Sequence, residues 1–392
     1  MNGPVPPRTA SRVRGLISGR LLELLGEAAR SAAVDLALGV PGAPETSPLL
    51  LDQACGALRS GHNQYEALAG NRELRRWIAD TLPGDTDPDT ELTITVGATE
   101  ALTAAVLAVV DPGDEVVIFE PYYENFVNAV VLAGGVPRFV RTRPDDWRFD
   151  PAELRAAFGP RTRAVIVSTP NNPTGHMLDE SEWSEIAALC GKWNAVVISD
   201  EIYSGFTFGK PHISVTEVPG LRDRGFLVGS LSKSHSVSGW RLGYLRASAG
   251  LTGIARQVHA TLCAGAPGPL QEAVAKAAAQ DPGFAKPSDD LRSQRDRVTG
   301  LLEKIGLECR PPDGGCYVMA RIPPAVGESS DVFAHRLVRE AGVLVAPGTL
   351  FHTDPAAGAD HVRAAFNRSP DFLDEVAARL ASFRTGASAI RL

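Results

Sequence analysis

Ala164-Val165-Ile166-Val167-Ser168 and Ala195-Val196-Val197-Ile198-Ser199 are apolar along their length rather than alternating between apolar and polar. A strand with one solvated face alternates with period two, so an unbroken apolar run belongs to a strand covered on both faces. Working outward, Leu92–Val96, Glu115–Phe119 and Phe226–Gly229 are further short β-rich runs. Long Ala-rich stretches, Glu100–Val110 and Glu180–Trp193, lie between some of them and have helix-forming composition. Strands alternating with helices predict an α/β fold, a mostly parallel sheet with helices on both sides. Such sheets bind ligands outside the carboxyl ends of their strands, so the residues after each run are the place to look for chemistry.

Beyond this region the pattern changes. Pro4–Arg12 reads as a meandering arm, and Leu16–Ala33 as a helix with Leu16, Leu21, Leu24 and Leu25 on one face. A Pro- and Gly-containing break, Asp281–Ser288, precedes a charged helix at Asp289–Ile305, a strand at Cys316–Ile322, a helix at Asp331–Ala341, a strand at His361–Phe366 and a closing helix at Phe372–Arg384. The expected organisation is a segment 1–45 packing with a smaller α+β domain at 286–392, and a large domain at 46–285.

Composition narrows the function. The chain has 392 residues, 44% of them hydrophobic and 22% charged, enough to bury a core without staples. Lys plus Arg is 39 and Asp plus Glu 46, a net charge of −7, which argues against nucleic-acid and membrane-surface partners. No apolar run reaches the roughly 18 residues of a membrane helix, and Met1–Arg20 holds no apolar stretch of signal-peptide length. Five cysteines, an odd number with no CxxC pair, suit a reducing, cytoplasmic setting. The eight histidines show no close ligand spacing, so no metal is expected.

Chemistry-bearing residues follow every run. Gly97-Ala98-Thr99-Glu100 opens a helix whose first N–H groups can hold an anion, although a plain strand-to-helix turn reads the same way. Glu120-Pro121-Tyr122-Tyr123 places two aromatics that either stack on a flat ligand or pack in the core. Thr169-Pro170-Asn171-Asn172-Pro173-Thr174-Gly175 is a fixed loop with Asn172 free to donate or accept. Asp200-Glu201-Ile202-Tyr203 sets an acid at the end of an apolar strand, costly unless it meets a cation. Ser230-Leu231-Ser232-Lys233 then brings one of only six lysines to the same edge, followed by Gly239-Trp240-Arg241. An amine, an acid, an anion cradle and an aromatic face together suit pyridoxal 5′-phosphate. Lys233 would carry the Schiff base and Asp200 would meet the pyridine nitrogen. Asn172 and Tyr203 would hydrogen-bond the ring's 3′-oxygen, and Tyr123 would stack on the ring. The Gly97-Ala98-Thr99 turn would take the phosphate with Ser230, Ser232 and Arg241.

The same segments resemble the class I/II aminotransferases, fold type I of the pyridoxal-phosphate enzymes. The likeness runs from about Gly39 to Phe366 and includes Asn63-Gln64-Tyr65, Thr95-Val96-Gly97-Ala98-Thr99, Asp111-Pro112-Gly113-Asp114-Glu115-Val116, Asn171-Asn172-Pro173-Thr174-Gly175, Asp200-Glu201-Ile202-Tyr203, Ser230-Leu231-Ser232-Lys233 and Gly239-Trp240-Arg241-Leu242-Gly243 in the family's order. The resemblance implies a seven-stranded sheet in the large domain and a homodimer with shared active sites, in which Tyr65 reaches the neighbouring subunit's cofactor phosphate. It also implies that Arg363 grips the substrate α-carboxylate beside Gly39, with Asn172 nearby. The activity implied is exchange of an amino group between an amino acid and a 2-oxo acid, in ping-pong order, with Lys233 as proton shuttle. Elimination, replacement, decarboxylation or oxidative deamination on the same scaffold is the alternative. A regulatory role would require an appended DNA-binding module, and only a short segment precedes Gly39. The sequence departs from the family at Pro41-Gly42-Ala43-Pro44 and at His235, where many relatives carry an aromatic residue.

Overall fold

The computed structural model describes residues 9–17, 20–42, 45–284 and 290–384. Residues 4–8 of the expected arm, 18–19 of the expected N-terminal helix, 43–44 of the Pro-Gly segment, 285–289 of the expected break and helix start and 385–392 of the expected smaller domain lie outside these. Strand β1 (Val34–Asp35) belongs to the smaller sheet system, and seven strands build the large sheet. They are β2 (Leu92–Val96), β3 (Glu115–Glu120), β4 (Val136–Arg141), β5 (Thr162–Ser168), β6 (Val196–Asp200), β7 (Gly225–Ser230) and β8 (Leu242–Arg246). Their spatial order is β2-β8-β7-β6-β5-β3-β4, with β8 antiparallel to both neighbours and the other pairings parallel. The expected mostly parallel seven-stranded sheet is present.

The unbroken apolar runs are explained by two cores, one on each face. Ile118, Ile166, Ile198 and Val228 point into one. Val117, Val165, Val197 and Leu227, each adjacent in sequence, point into the other. Each side chain removed from water contributes roughly 1.5–3 kcal/mol, so both helical layers are held by the strands' own alternation. Register then brings the chemistry together. Ser168 of β5 pairs with Asp200 of β6, and Asp200 with Val228 of β7, so the loops after these strands leave from one edge.

Two strands of this sheet, β4 and β8, were absent from the sequence reading. β4 is an edge strand in which only Val140 is fully covered, and an edge tolerates its Pro137. β8 follows directly on the Gly239-Trp240-Arg241 turn and ends in Arg246, fully buried with its Nη2 3.1 Å from Glu91 Oε2. A buried arginine within a strand has no signature in hydrophobic patterning.

The smaller system has β9 (Glu308–Cys309), β10 (Tyr317–Arg321), β11 (Val343–Leu344), β12 (Ala346–Pro347) and β13 (His361–Ala365). A four-stranded antiparallel sheet runs β12-β13-β10-β9, and β1 pairs with β11 in parallel. Helices Asp290–Lys304, Ser330–Ala341 and Pro370–Leu380 pack on it. Ser329 and Ser369 cap the last two by accepting backbone N–H bonds from Val332 and Phe372. Leu24, Ala28, Leu36 and Ala37 of the N-terminal segment share this core with Val318, Phe333 and Val362, as do Tyr203 and Phe206 from the loop after β6. The N-terminal helix is shorter than its sequence suggested, Arg20–Arg30, with a 3₁₀ turn at Ser11–Gly15 before it. Leu24 and Leu25 face the core, Leu16 lies before the helix, and the side chain of Leu21 is outside the described residues.

Candidate active site

The anion cradle is built by two glycines. Gly97 has φ +73°, and a Cβ there would lie 2.4 Å from Arg241 Nη2. A Cβ on Gly243 of β8 would lie 2.6 Å from the Ala98 nitrogen. The helix Gly97–Val109 therefore starts directly against β8, its free N–H groups beside a guanidinium. Arg241 is itself in the left-handed region, φ +56°, and spends one donor on the Ser238 carbonyl at 2.9 Å. Thr99 is exposed at the mouth of this turn and Ser232 is buried. Ser230 is less free than expected. Its hydroxyl caps the short helix Leu231–Ser234 by accepting from Ser232 N at 3.0 Å, and it lies 3.4 Å from the Leu242 carbonyl.

Asp200 is buried at the end of β6. Among the described residues no basic side chain pairs with it; only the Ile202 N–H donates to Oδ1, at 3.3 Å. Burial pushes its carboxyl up to about 7, the Glu201 charge adding to the shift. The cation that would offset its burial is thus not supplied by the described residues. Glu201 serves a different purpose: it ties Ser199, Val215 and His212 together at 2.8–3.0 Å. The Tyr203 hydroxyl hydrogen-bonds Tyr317 and Cys316 and also feels the charge of Asp200. Tyr123 is half-buried, hydrogen-bonded to Asn125 and Thr99, and close enough to Asp200 for its phenol to be disfavoured as an anion.

Lys233 Nζ donates to the Gly39 carbonyl at 2.7 Å. Burial, then the charges of Arg363, Arg368 and Arg241, lower its pKa, while Cys316 opposes them. Arg363, on β13, is buried against the faces of Tyr317 and Phe351, 4.1 and 4.7 Å from the ring centroids. Its Nη1 donates to Asn172 Oδ1 at 2.8 Å and Nη2 to the Ala37 carbonyl at 2.6 Å, with Nε left unpaired. Asn172 holds Arg363 through its oxygen, which leaves its N–H pair to donate. The loop around it is fixed by Asn171, whose Oδ1 accepts from Thr174 N and Oγ1 at 3.1 and 2.9 Å. Gly39 is required at its position because a Cβ would lie 2.1 Å from Tyr317 Oη.

Over residues 44–380 the chain matches the family model for aminotransferase class I and II. The chain belongs to the class I and II aminotransferases. A probable N-succinyldiaminopimelate aminotransferase, DapC, from Mycobacterium tuberculosis is 35% identical over 389 residues, covering 95% of this chain and 98% of that one. The structure of N-succinyldiaminopimelate aminotransferase from that organism superposes with TM-score 0.89 at 34% identity, over 95% of this chain and 99% of the other. YbdL from Escherichia coli, identified with a methionine aminotransferase function, gives TM-score 0.90 at 30% identity, over 96% and 99%. This aminotransferase is a fold type I enzyme dependent on pyridoxal 5′-phosphate. The residues fit that cofactor: Asp200 lacks only the cation a protonated pyridine nitrogen offers, and the Gly97 turn with Arg241 offers donors to a phosphate.

Sequence reasoning missed several members of the aminotransferase site. Asn367 donates to the Gly39 carbonyl at 3.3 Å, and Arg368 donates to the carbonyls of Asp35, Leu38 and Val40. They brace the Gly39 segment from β13's end, and only their place directly after Phe366 could have suggested it. Cys316, which no motif singled out, is buried, hydrogen-bonded by Tyr203 and within reach of the Lys233 charge. His235 fills the aromatic position as a neutral ring: it packs edge-on against Trp77 and Phe284, and burial lowers its pKa to about 4. Elsewhere, Glu100 meets His259 and Cys263, one turn apart on the helix Ala249–Cys263, their ligand atoms within 4.8 Å of one another and joined by hydrogen bonds at 3.0 and 3.3 Å.

Proposed function

We propose that the enzyme exchanges an amino group between an amino acid and a 2-oxo acid in ping-pong order, with Lys233 as Schiff-base lysine and proton shuttle. One observation carries this: the Ala37–Gly39 segment receives Arg363 at one end and Lys233 at the other, two residues apart. A carboxylate grip and a proton-moving amine are thereby set side by side, as the adjacent carboxylate and α-carbon of an amino acid require.

When bound, the cofactor supplies an electron sink for charge developing at the substrate α-carbon. Lys233, Asp200, Asn172, Tyr203, Tyr123, Ser232, Arg241 and the Gly97-Ala98-Thr99 turn would hold it; Ser230 would contribute by capping the Lys233 helix. Asp200 would favour a protonated pyridine nitrogen. Arg363 binds the α-carboxylate with Asn172 steadying its guanidinium, a planar two-point grip that a lysine would not reproduce. Lys233 Nζ accepts the α-proton, and burial with neighbouring positive charge keeps a fraction of it neutral for that step. Tyr317 and Phe351 shut water away from the Arg363 face.

The reading extends to a cytoplasmic homodimer. Tyr65 is 90% exposed in the single chain, placing it outside its own chain's core and leaving it available to a neighbour's phosphate. Among the described residues no helix is long and apolar enough to cross a membrane, and the five cysteines are free. The chain divides into a segment 1–45 with the smaller domain 286–392 and a large domain 46–285, Tyr203 and Phe206 crossing into the smaller core. The test is a panel of amino acids added to holoenzyme with a 2-oxo acid. Appearance of the new amino acid supports the reading; ammonia release without an acceptor contradicts it.

A further inference from the structure

Glu100, His259 and Cys263 form a cluster that the amino-transfer chemistry leaves unused. Glu100 stands in the first turn of the helix Gly97–Val109, and the helix Ala249–Cys263 packs against it. No sequence spacing announces the trio, because Glu100 lies 159 residues from His259. The cluster adjoins the phosphate cradle. Glu100 follows Thr99, and its Oε2 accepts the Val96 N–H at 3.2 Å where the helix begins.

His259 is buried, and its Nε2 has no hydrogen-bond partner among the described residues. The ring is held through Nδ1, which lies 3.0 Å from Glu100 Oε2 and 3.3 Å from Cys263 Sγ. One ring nitrogen carries at most one proton, so it cannot donate to both. The Glu100 side chain is only 11% exposed, and its Oε1 is buried without a partner. Among the described residues no lysine or arginine pairs with it; the imidazole is the one basic group in reach. A buried carboxylate with a free oxygen and no cation is unfavourable.

A carboxylate oxygen, an imidazole nitrogen and a thiolate sulfur are the ligands zinc accepts, and the sulfur and nitrogen set the site against calcium or magnesium. The three atoms lie within 4.8 Å of one another. Zinc bonds of roughly 2.0–2.3 Å in tetrahedral array place ligand atoms about 3.3–3.6 Å apart, so closing on an ion takes shifts of about 1 Å or less. Cys263 is only partly buried, which gives an ion a way in and leaves a fourth position to water.

We propose that Glu100, His259 and Cys263 bind a zinc-class divalent cation, which fastens the helix Ala249–Cys263 to the first turn of Gly97–Val109 beside the phosphate cradle. Nδ1 gives its lone pair to the ion, and the carboxylate gains the cation its burial lacks. The thiol releases its proton to solvent as the sulfur–metal bond forms. None of the three residues belongs to the cofactor or substrate grip, so the proposal stands apart from the aminotransferase reading.

The experiment titrates chelator-treated holoenzyme, reduced and free of amino acids, with zinc in competition with a chelator of known affinity, and with cobalt(II) as a coloured stand-in. Wild type should bind one zinc per chain with a Kd on the order of 1 μM or below, and its thermal midpoint should rise with zinc. Cobalt should give the intense long-wavelength bands of a four-coordinate ion, clear of the cofactor's absorbance. Cys263→Ser and His259→Gln should each weaken zinc about tenfold or more while keeping cofactor absorbance and turnover. Cys55→Ser, which removes the exposed cysteine, should bind as wild type does. Absence of stoichiometric binding in wild type would overturn the proposal. So would an affinity unchanged in Cys263→Ser and His259→Gln, or one lost in Cys55→Ser. Should a variant fail to fold, the wild-type cobalt spectrum decides by itself: the weak bands of a six-coordinate ion would overturn the assignment.

Discussion

Lys233 and Asp200 are both buried and ionisable, and burial moves both toward neutrality. For Lys233 the neutral form is the useful one. Lys233→Ala should retain the fold yet lose the visible absorbance of bound cofactor and at least about a thousandfold in turnover, read by spectrophotometry and a coupled assay. For Asp200 the neutral form is a liability that a pyridinium would relieve. Its folded pKa of about 7 lies above the ordinary carboxylate value, so without cofactor the folded state binds the proton more tightly than the unfolded chain does. Stability is then full below about pH 4 and falls as pH rises from there through about 7, by an amount on the order of 4 kcal/mol. Asn mimics the protonated acid. Cofactor-free Asp200→Asn should match wild type in denaturant midpoint only near about pH 3, below the unfolded carboxyl's pKa, and exceed it increasingly up to about pH 8, while its holoenzyme turns over about a hundredfold more slowly or worse. A midpoint difference independent of pH would contradict the assignment. Both residues were legible in sequence because each ends an apolar run, where a charge is conspicuous. Arg368 and Cys316 were not, since one follows β13 among ordinary polar residues and the other is a small thiol whose neighbours come from the loop after β6 and the Lys233 helix.

At the scale of elements, the legible strands were those whose two faces sink into different cores, as Ile166 and Val165 of β5 do. β8 was hidden by Arg246, which ends an otherwise core-packed strand on an ion pair with Glu91, and β4 by Pro137 at the sheet edge. Yet β8 has a part in the cradle. Gly243 lets it approach the Gly97–Ala98 turn, where a Cβ would come within 2.5 Å of the Gly97 carbonyl carbon. Gly243→Ala should push the turn away from β8 and weaken cofactor affinity about tenfold or more, measured by titrating cofactor into the cofactor-free protein, with the far-ultraviolet spectrum little changed. An unaltered affinity would show that the cradle does not depend on this contact. The Leu16–Ala33 reading overshot for a local reason. Ala32 takes φ +48° and ends the helix soon after Arg30, and the turn at Ser11–Gly15 is separate.

Among the described residues there are four cores, one on each face of the large sheet, one around Leu92, Leu231 and Leu242, and one in the smaller system, and the site lies where loops of the large sheet meet residues of the last. Tyr203 and Phe206 belong to that last core although the large sheet launches them. The proposed homodimer makes a prediction at this scale. Tyr65 belongs to the neighbour's site, so mixing Tyr65→Ala with Lys233→Ala protomers should restore a fraction of activity that neither possesses alone, because one of the two sites in the mixed dimer is then intact. No recovery after subunit exchange, with dimers confirmed by sedimentation, would contradict shared sites. The most direct test of the central claim is the absorbance of the holoenzyme titrated with an amino acid and then with a 2-oxo acid, wild type beside Lys233→Ala. The account predicts that wild type loses its visible band to the aminated cofactor and regains it with the 2-oxo acid, while the variant does neither; a wild-type band that never converts, or a variant that cycles normally, would contradict it.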